Sequence, residues 1–180
     1  DYPIPEDMTI NQFFDQGSTW NTMCPLDGAG PDGHALVGCV AVSMVQVMHY
    51  WKYPEFGSGS NSYYHSDYGN LSANFNTLYD YENMENSVGN TASQKLLYHA
   101  GVAVEMGYGA DGSGAWVMGG NPSAYHAMKN HFLYRNDMDD IDPSDYTTVQ
   151  YRELLKEELD SNRPIIYRGC SNDGCHAWNI

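Results

Sequence analysis

Two short motifs, far apart in the chain, contain residue types that could do chemistry together. Gly38-Cys39-Val40-Ala41 opens a helical pattern, and Gly174-Cys175-His176-Ala177 lies in a strand-like segment near the C-terminus. A cysteine at a helix N-terminus is favoured as the thiolate, and a histidine can serve as a general acid and base. The pair therefore indicates acyl transfer through a thiol, with Cys39 as the nucleophile and His176 as the proton carrier.

The order and spacing of these residues favour one class of enzyme. The interval from Cys39 to His176 falls within the roughly 130–150 residues that separate cysteine and histidine in papain-type peptidases. A cysteine peptidase is thus the leading hypothesis. A structural role for Cys39 stays open, because the four cysteines, which are Cys24, Cys39, Cys170 and Cys175, would also fit two disulfides in a secreted structural domain.

A third candidate residue lies upstream of the nucleophile. A thiol peptidase of this kind needs a side-chain amide that donates a hydrogen bond to the oxyanion of the intermediate. Gln16 is the best candidate, because it lies in a glycine-containing loop before Cys39, whereas Gln46 lies inside the predicted helix and is expected to face elsewhere. The backbone N–H of Cys39 would be the second donor.

The two catalytic candidates need a helix and a strand to hold them. Apolar residues recur at helical spacing from Val40 to Trp51, and Tyr53-Pro54 ends the pattern. Near the C-terminus, residues 165–169 and 175–180 are predicted to pair as a hairpin around a strong turn signal. His176 would then project from a strand, which is a rigid support for a catalytic base.

The remaining elements are predicted with the helices first and the strands last. Residues 1–37 are expected to be irregular because prolines and glycines are frequent, and residues 55–76 are expected to be a polar surface stretch. Three more helices are predicted, starting at Thr91 or Ser93, at Asn121-Pro122 as cap and first residue, and at about Tyr146.

Composition excludes several function classes. Eight basic and 23 acidic residues give a formal net charge of −15, which would repel a nucleic-acid backbone, so no nucleic-acid partner is expected. No apolar run approaches the roughly 20 residues of a membrane span, and the chain lacks the start of a signal peptide, so any export signal is expected to be gone already. The length fits one domain.

Patterns for metals or cofactors are weak. Gly107-x-Gly109-x-x-Gly112 satisfies a dinucleotide-binding pattern, yet more glycine follows in place of a helix. The acidic stretch from Asp137 to Asp145 lacks the glycine and closing glutamate of a calcium loop, and the histidines show no zinc-binding spacing. The sequence therefore predicts neither a cofactor nor a metal.

Four blocks of sequence occur in the order in which one peptidase family has them. They are Gln16-Gly17 with Trp20-Asn21 and Cys24-Pro25, then Gly38 to Ala41 with Gln46, Tyr50 and Tyr53-Pro54, then Tyr108-Gly109 with Gly112 to Ala115, and last Gly174 to Ala177. These blocks resemble the streptopain family of secreted bacterial cysteine peptidases. The resemblance runs over nearly the whole chain from about Phe14.

The resemblance implies an α+β fold of the papain-like type, with a helical N-terminal part and an antiparallel sheet on the C-terminal side. It implies a secreted, cell-surface or periplasmic endopeptidase acting on protein and peptide substrates. It places Cys39 as the nucleophile, His176 as the base and Gln16 as the oxyanion donor. Members of this family are made as zymogens, so the chain's own propeptide is expected to be an inhibitor.

One departure from the family pattern concerns the cysteines. Cys175 stands where a glycine commonly precedes the catalytic histidine. It could be a free thiol or pair with Cys170 or Cys24. A bond to Cys39 would abolish activity, and the alternative function is then an inactive peptidase homologue that serves as an extracellular binding or adhesion module.

A second departure concerns the C-terminus. The family continues through further strands to an Asn-Trp-Gly-Trp-Gly motif that orients the catalytic imidazole. Trp178 and Asn179 do not fit that role, because both follow His176 on its own strand. Residues 1–180 are therefore expected to be a single catalytic domain that lacks its C-terminal strands, and these could come from a second chain, a disordered tail or a longer form.

Overall fold

The structure is a computed structural model that describes residues 13–172 and 174–180. Four α-helices and four β-strands make an α+β fold, as expected. In chain order they are α1 Cys39–Trp51, β1 Ser60–His65, β2 Gly69–Asn74, α2 Thr91–Ala103, α3 Ala124–Asn130, α4 Thr148–Asp160, β3 Ile166–Ser171 and β4 Gly174–Asn179. None of the described helices is both long and apolar enough to span a membrane.

Helix α1 forms the centre of the described molecule. It begins at Cys39, as predicted, and ends at Trp51, where Lys52 takes a left-handed conformation and its N–H bonds the carbonyls of Met48 and His49. Apolar residues at helical spacing bury its inner side against α2, while the same helix also packs against β4. The fully buried side chains include Met44, Val45 and Met48 of α1 and Leu96 and Leu97 of α2.

The C-terminal hairpin is confirmed. Strands β3 and β4 pair antiparallel, with Gly169 opposite His176 and Cys170 opposite Cys175. Two further bonds between Ile165 and Ile180 extend the pairing beyond the strands. The hairpin therefore holds His176 on a strand, as the turn signal predicts.

The expected order of helices first and strands last is wrong, because a second hairpin lies between α1 and α2. Residues 55–76, expected to be a surface stretch, contain β1 and β2, which pair from Ser60 with Asn74 to His65 with Gly69. Only Leu71 and Ala73 of this hairpin are buried. Serine, asparagine and tyrosine dominate the rest, so the alternation of apolar and polar residues is too weak to reveal the strands.

The other helices lie near their predicted positions, with one correction. Helix α2 starts at Thr91 behind a capping box of Asn90 and Ser93, and α4 covers most of its predicted range. The predicted cap of α3 is wrong: its N-cap is Ser123, whose hydroxyl accepts from the His126 N–H, and Asn121-Pro122 lies outside the helix. Serine is as good a cap as asparagine, so cap preference alone does not separate Ser123 from Asn121.

The N-terminal expectation is tested only from Phe13 onward, since residues 1–12 lie outside the described part. From Phe13 to Val37 the chain has two short 3-10 helices, Ser18–Asn21 and Pro31–Gly33, and otherwise irregular structure. This agrees with the predicted lack of a long element.

Candidate active site

Cys39 is the first residue of α1, where the turn that precedes it requires glycine. Gly38 has a φ of 93° and caps the helix. A Cβ at Gly38 would lie 2.7 Å from the sulfur of Met106 and 3.2 Å from Cβ of Ser113. The left-handed backbone and the lack of space both exclude a side chain at position 38. Glycine is therefore required there, and Cys39 follows it at the helix start.

The thiol of Cys39 contacts the strand that carries the histidine. The side chain is half-buried, and its Sγ accepts a hydrogen bond from the Ala177 N–H at 3.4 Å. The contact therefore places the sulfur beside the residue that follows His176.

His176 directly precedes Ala177 on β4. Its side chain is exposed, in contrast to the buried Ala177, because successive side chains of a strand alternate between faces. The structure brings Cys39 to the backbone next to His176, but no hydrogen bond joins the two side chains. Cys39 thus lies next to the residue that follows His176, and the Ala177 N–H makes the contact.

An indole lies beside the imidazole on this face. The ring centroids of His176 and Trp178 are 6.3 Å apart with planes inclined by 19°. Trp178 also covers Gly169, where a Cβ would lie 2.7 Å from the indole, and its centroid is 5.0 Å from that of Tyr167. Glycine opposite His176 therefore leaves the space that the indole fills.

Gln16 lies beside the segment that leads into α1. Its carbonyl accepts a hydrogen bond from the Val37 N–H at 2.8 Å, two residues before Cys39. Its own N–H donates to the carboxylate of Asp15 at 2.6 Å. The main chain thus brings Gln16 to the segment that leads into the nucleophile turn.

A loop distant in sequence supports the same turn. The Ser113 hydroxyl donates to the Leu36 carbonyl at 2.6 Å, and the Leu36 N–H donates to the Gly109 carbonyl at 3.0 Å. Paired bonds between Gly107 and Gly114 close the loop. Spacing alone did not identify Ser113 as a support of Gly38, because the two residues lie far apart in the chain.

The structure shows which cysteines pair, which the sequence left open. Cys170 and Cys175 form a disulfide directly across the hairpin, while Cys39 and Cys24 are free thiols. Burial raises the pKa of Cys24 to about 12. The hypothesis that Cys39 is consumed in a disulfide, and with it the structural domain held by two disulfides, is therefore wrong.

Asn179 lies close to the candidate site and was not predicted from the sequence. Set aside as an orienting residue for the imidazole, it instead reaches α1, where its Nδ2 donates to the Ser43 carbonyl at 3.1 Å and to Gln46 Oε1 at 2.9 Å. Gln46, expected to face elsewhere, lies on the side of α1 that faces β4. Its place two helical turns after Cys39 was the available signal.

Comparison with known proteins finds similar sequences among cysteine peptidases. The sequence model of the peptidase C10 family matches residues 14–180. Streptopain from Streptococcus pyogenes is 29% identical over 189 residues, which cover 93% of this chain and 46% of streptopain. The thiol protease/hemagglutinin PrtT from Porphyromonas gingivalis is 27% identical and is covered over 20% of its length.

Solved structures show the same fold. Active wild-type interpain A, a cysteine protease from Prevotella intermedia, is similar with a TM-score of 0.81 and 30% identity, covering 94% of this chain and 74% of that one. A prointerpain A fragment gives a TM-score of 0.82 and 31% identity, over 55% of its length. The fold is therefore papain-like, as the resemblance implied. The chain spans about half the length of the streptopains it matches.

Proposed function

This chain belongs to the peptidase C10 family, and from that premise we propose that it carries the nucleophile and base of a cysteine endopeptidase that hydrolyses peptide bonds in protein substrates. One observation carries the proposal: the free thiol of Cys39 lies at the start of α1 against the β4 backbone beside His176. An inactive binding module is less well supported, because that function was expected with Cys39 in a disulfide, whereas the Cys39 thiol is free.

The proposed reaction begins with attack of the Cys39 thiolate on the carbonyl carbon of the scissile bond. The C–S bond forms while the carbonyl π electrons move to oxygen, and the oxyanion accepts hydrogen bonds from the Gln16 side-chain amide and the Cys39 N–H. His176 then gives a proton to the leaving amine as the C–N bond breaks. An acyl group remains on Cys39.

Hydrolysis of this acyl group would complete the cycle. His176, now neutral, takes a proton from water, and the hydroxide attacks the thioester carbonyl. The C–S bond breaks, and the electron pair returns to sulfur as the thiolate. No group beyond the chain's own residues and water enters the proposed steps.

The surroundings of the site support a proposal about location and partners. A disulfide on the strand pair that carries His176 fits an oxidising compartment, so we place the protein outside the cytoplasm, either secreted or at the bacterial surface or in the periplasm. Residues 1–180 would be part of one papain-like catalytic domain. Protein substrates and the chain's own propeptide as inhibitor are the proposed partners.

Covalent labelling of the full-length protein tests the proposal. A peptide carrying a thiol-directed electrophile should label Cys39, and His176→Ala should remove that labelling, because the base that maintains the thiolate is gone. His65→Ala is the matched control, since His65 also lies on a strand of a hairpin, but on β1, which pairs with β2. Labelling that is absent from the native protein, or that persists in His176→Ala, would refute the proposal.

A further inference from the structure

One side of β4 is fastened to α1 at two points. Ala177 and Asn179 lie on this side, and they meet the stripe of α1 that contains Cys39, Ser43 and Gln46. The first contact is the Ala177 N–H on Sγ of Cys39. The second is the Asn179 carboxamide, whose two N–H groups reach the Ser43 carbonyl and Gln46 Oε1.

The chemistry of the partners determines the orientation of the Asn179 amide. The Ser43 carbonyl can only accept, so the group that faces it must be Nδ2. Gln46 must then present its oxygen to the second N–H. The bond pattern is therefore specific to a side chain with two donors at this place.

Stability alone does not account for asparagine here. Its Oδ1 is buried and has no hydrogen-bond partner among the described residues. An unpaired buried acceptor is unfavourable, and an apolar residue of the same shape would avoid that cost. What the side chain provides is the position that its two donated bonds enforce.

The two attachments fix the position of β4 along α1 and its angle to the helix axis. Cys39 and Gln46 are about 10 Å apart along the helix axis, and Ala177 and Asn179 are about 7 Å apart along the strand. With both ends of this short segment fixed, β4 cannot shift along α1 without breaking a bond. His176 directly precedes the segment, so its backbone is placed relative to Cys39 Sγ by the same attachments.

We propose that Asn179 is a positioning residue, which holds β4 in register with α1 through Ser43 and Gln46 and so sets the approach of His176 to Cys39. This inference rests on the proposed peptidase function. A shift of about 1 Å in a reacting pair can reduce the rate on the order of a hundredfold. Loss of the amide should therefore lower the rate of the chemical step while substrate binding is kept.

Kinetics of the full-length protein test the inference. In Asn179→Leu and in Gln46→Leu, kcat for peptide hydrolysis should fall about ten- to a hundredfold, while KM stays within about twofold. The double variant should lose no more than Asn179→Leu alone, because the bond to Gln46 is one of the two that Asn179→Leu removes.

Matched variants separate positioning from general damage. Gln46→Glu keeps an oxygen acceptor for Asn179 Nδ2, so it should recover most of the rate that Gln46→Leu loses. Tyr50→Phe removes a different α1 contact, from the Tyr50 hydroxyl to the Asn162 carbonyl at 3.5 Å, and should leave kcat unchanged.

The outcomes distinguish this inference from the proposed function. If the wild type is active and the leucine variants lose only thermal stability, with kcat unchanged, Asn179 is structural and the inference is wrong. If Asn179→Leu does not fold, the contrast between Gln46→Leu and Gln46→Glu decides, and equal kcat values in those two would overturn it. A wild type without any peptide hydrolysis would instead refute the proposed function, and the inference with it.

Discussion

At the scale of residues, two free thiols differ in their surroundings. Cys39 is half-buried at a helix start, with an N–H directed at its sulfur. Cys24 is enclosed by the core, and burial raises the pKa of its thiol to about 12. Because the thiolate is the reactive form, burial should make Cys24 inert.

Thiol alkylation should therefore be selective. Iodoacetamide added to the native, unreduced protein at neutral pH should add one carbamidomethyl group, on Cys39, as read by intact mass and peptide mapping. Cys39→Ser should take up none. Modification of Cys24 at a rate similar to that of Cys39 would contradict the role assigned to burial.

The glycine before the nucleophile is the second residue with a clear physical demand. Gly38→Ala forces a side chain into a left-handed backbone and onto Met106, so the free energy of unfolding should fall by about 1–3 kcal/mol. Urea denaturation measures the change. Gly28→Ala is the control, because its Cβ would meet nothing within 4 Å; an equal loss in both variants would rule out the proposed strain.

At the scale of elements, the site depends on how the β3–β4 hairpin is held. The Cys170–Cys175 disulfide joins the strands next to the turn of the hairpin, and the Ile165–Ile180 hydrogen bonds join them at the opposite end. The loop that the disulfide encloses is short, so the chain-entropy model gives it only about 2 kcal/mol of stabilisation. The hairpin should therefore be weakened, and not lost, when the disulfide is absent.

The double variant Cys170→Ser, Cys175→Ser tests this expectation. Its free energy of unfolding should be lower than that of the wild type by about 2 kcal/mol, measured by urea denaturation without reductant. Reductant should lower the free energy of unfolding of the wild type by a similar amount and leave that of the double variant unchanged. A reductant effect of equal size in the double variant would show that another thiol is responsible.

Which elements could be predicted depends on how strongly their residues alternate. Helix α1 has clear apolar periodicity and a proline after its end, and the C-terminal hairpin has a strong turn signal, so their positions follow from sequence. Strands β1 and β2 bury only Leu71 and Ala73 and were missed. The start of α3 was placed two residues early because Asn121 and Ser123 are equally good caps.

At the scale of the whole molecule, the candidate site joins segments from both ends of the described chain. Residue type and order identified Cys39, His176 and Gln16 as candidates, because catalysis restricts which side chains can serve. The supporting contacts of Ser113 and Asn179 could not be found in the same way. They depend on packing between segments more than 70 residues apart in the chain, which leaves no local pattern.

Buried histidines make the stability of the whole molecule depend on pH. Burial lowers the pKa of His49 and of His99 to about 4, below the ordinary value of about 6.5. Above pH 6.5 these histidines are neutral in both states and have no effect. As the pH falls from about 6.5 to about 4, the unfolded chain takes up protons that the native state does not, so stability decreases.

His49→Phe should reduce this acid sensitivity. The phenyl ring can keep the edge-on packing of His49 against Phe14 and Tyr81 without a group that gains a proton on unfolding. Unfolding free energies between pH 7 and pH 4 should therefore decline less steeply in the variant than in the wild type. An unchanged slope would show that other groups cause the acid sensitivity.

Trapping the acyl-enzyme tests the central claim most directly. The full-length protein is mixed with an activated ester of a short peptide, quenched with acid within the first turnovers, and analysed by intact mass and peptide mapping. We predict one added acyl group, carried by Cys39, that disappears as product forms and never accumulates in Cys39→Ala. Peptide hydrolysis without acylation of Cys39, or in the Cys39→Ala variant, would contradict the assignment of Cys39 as the nucleophile.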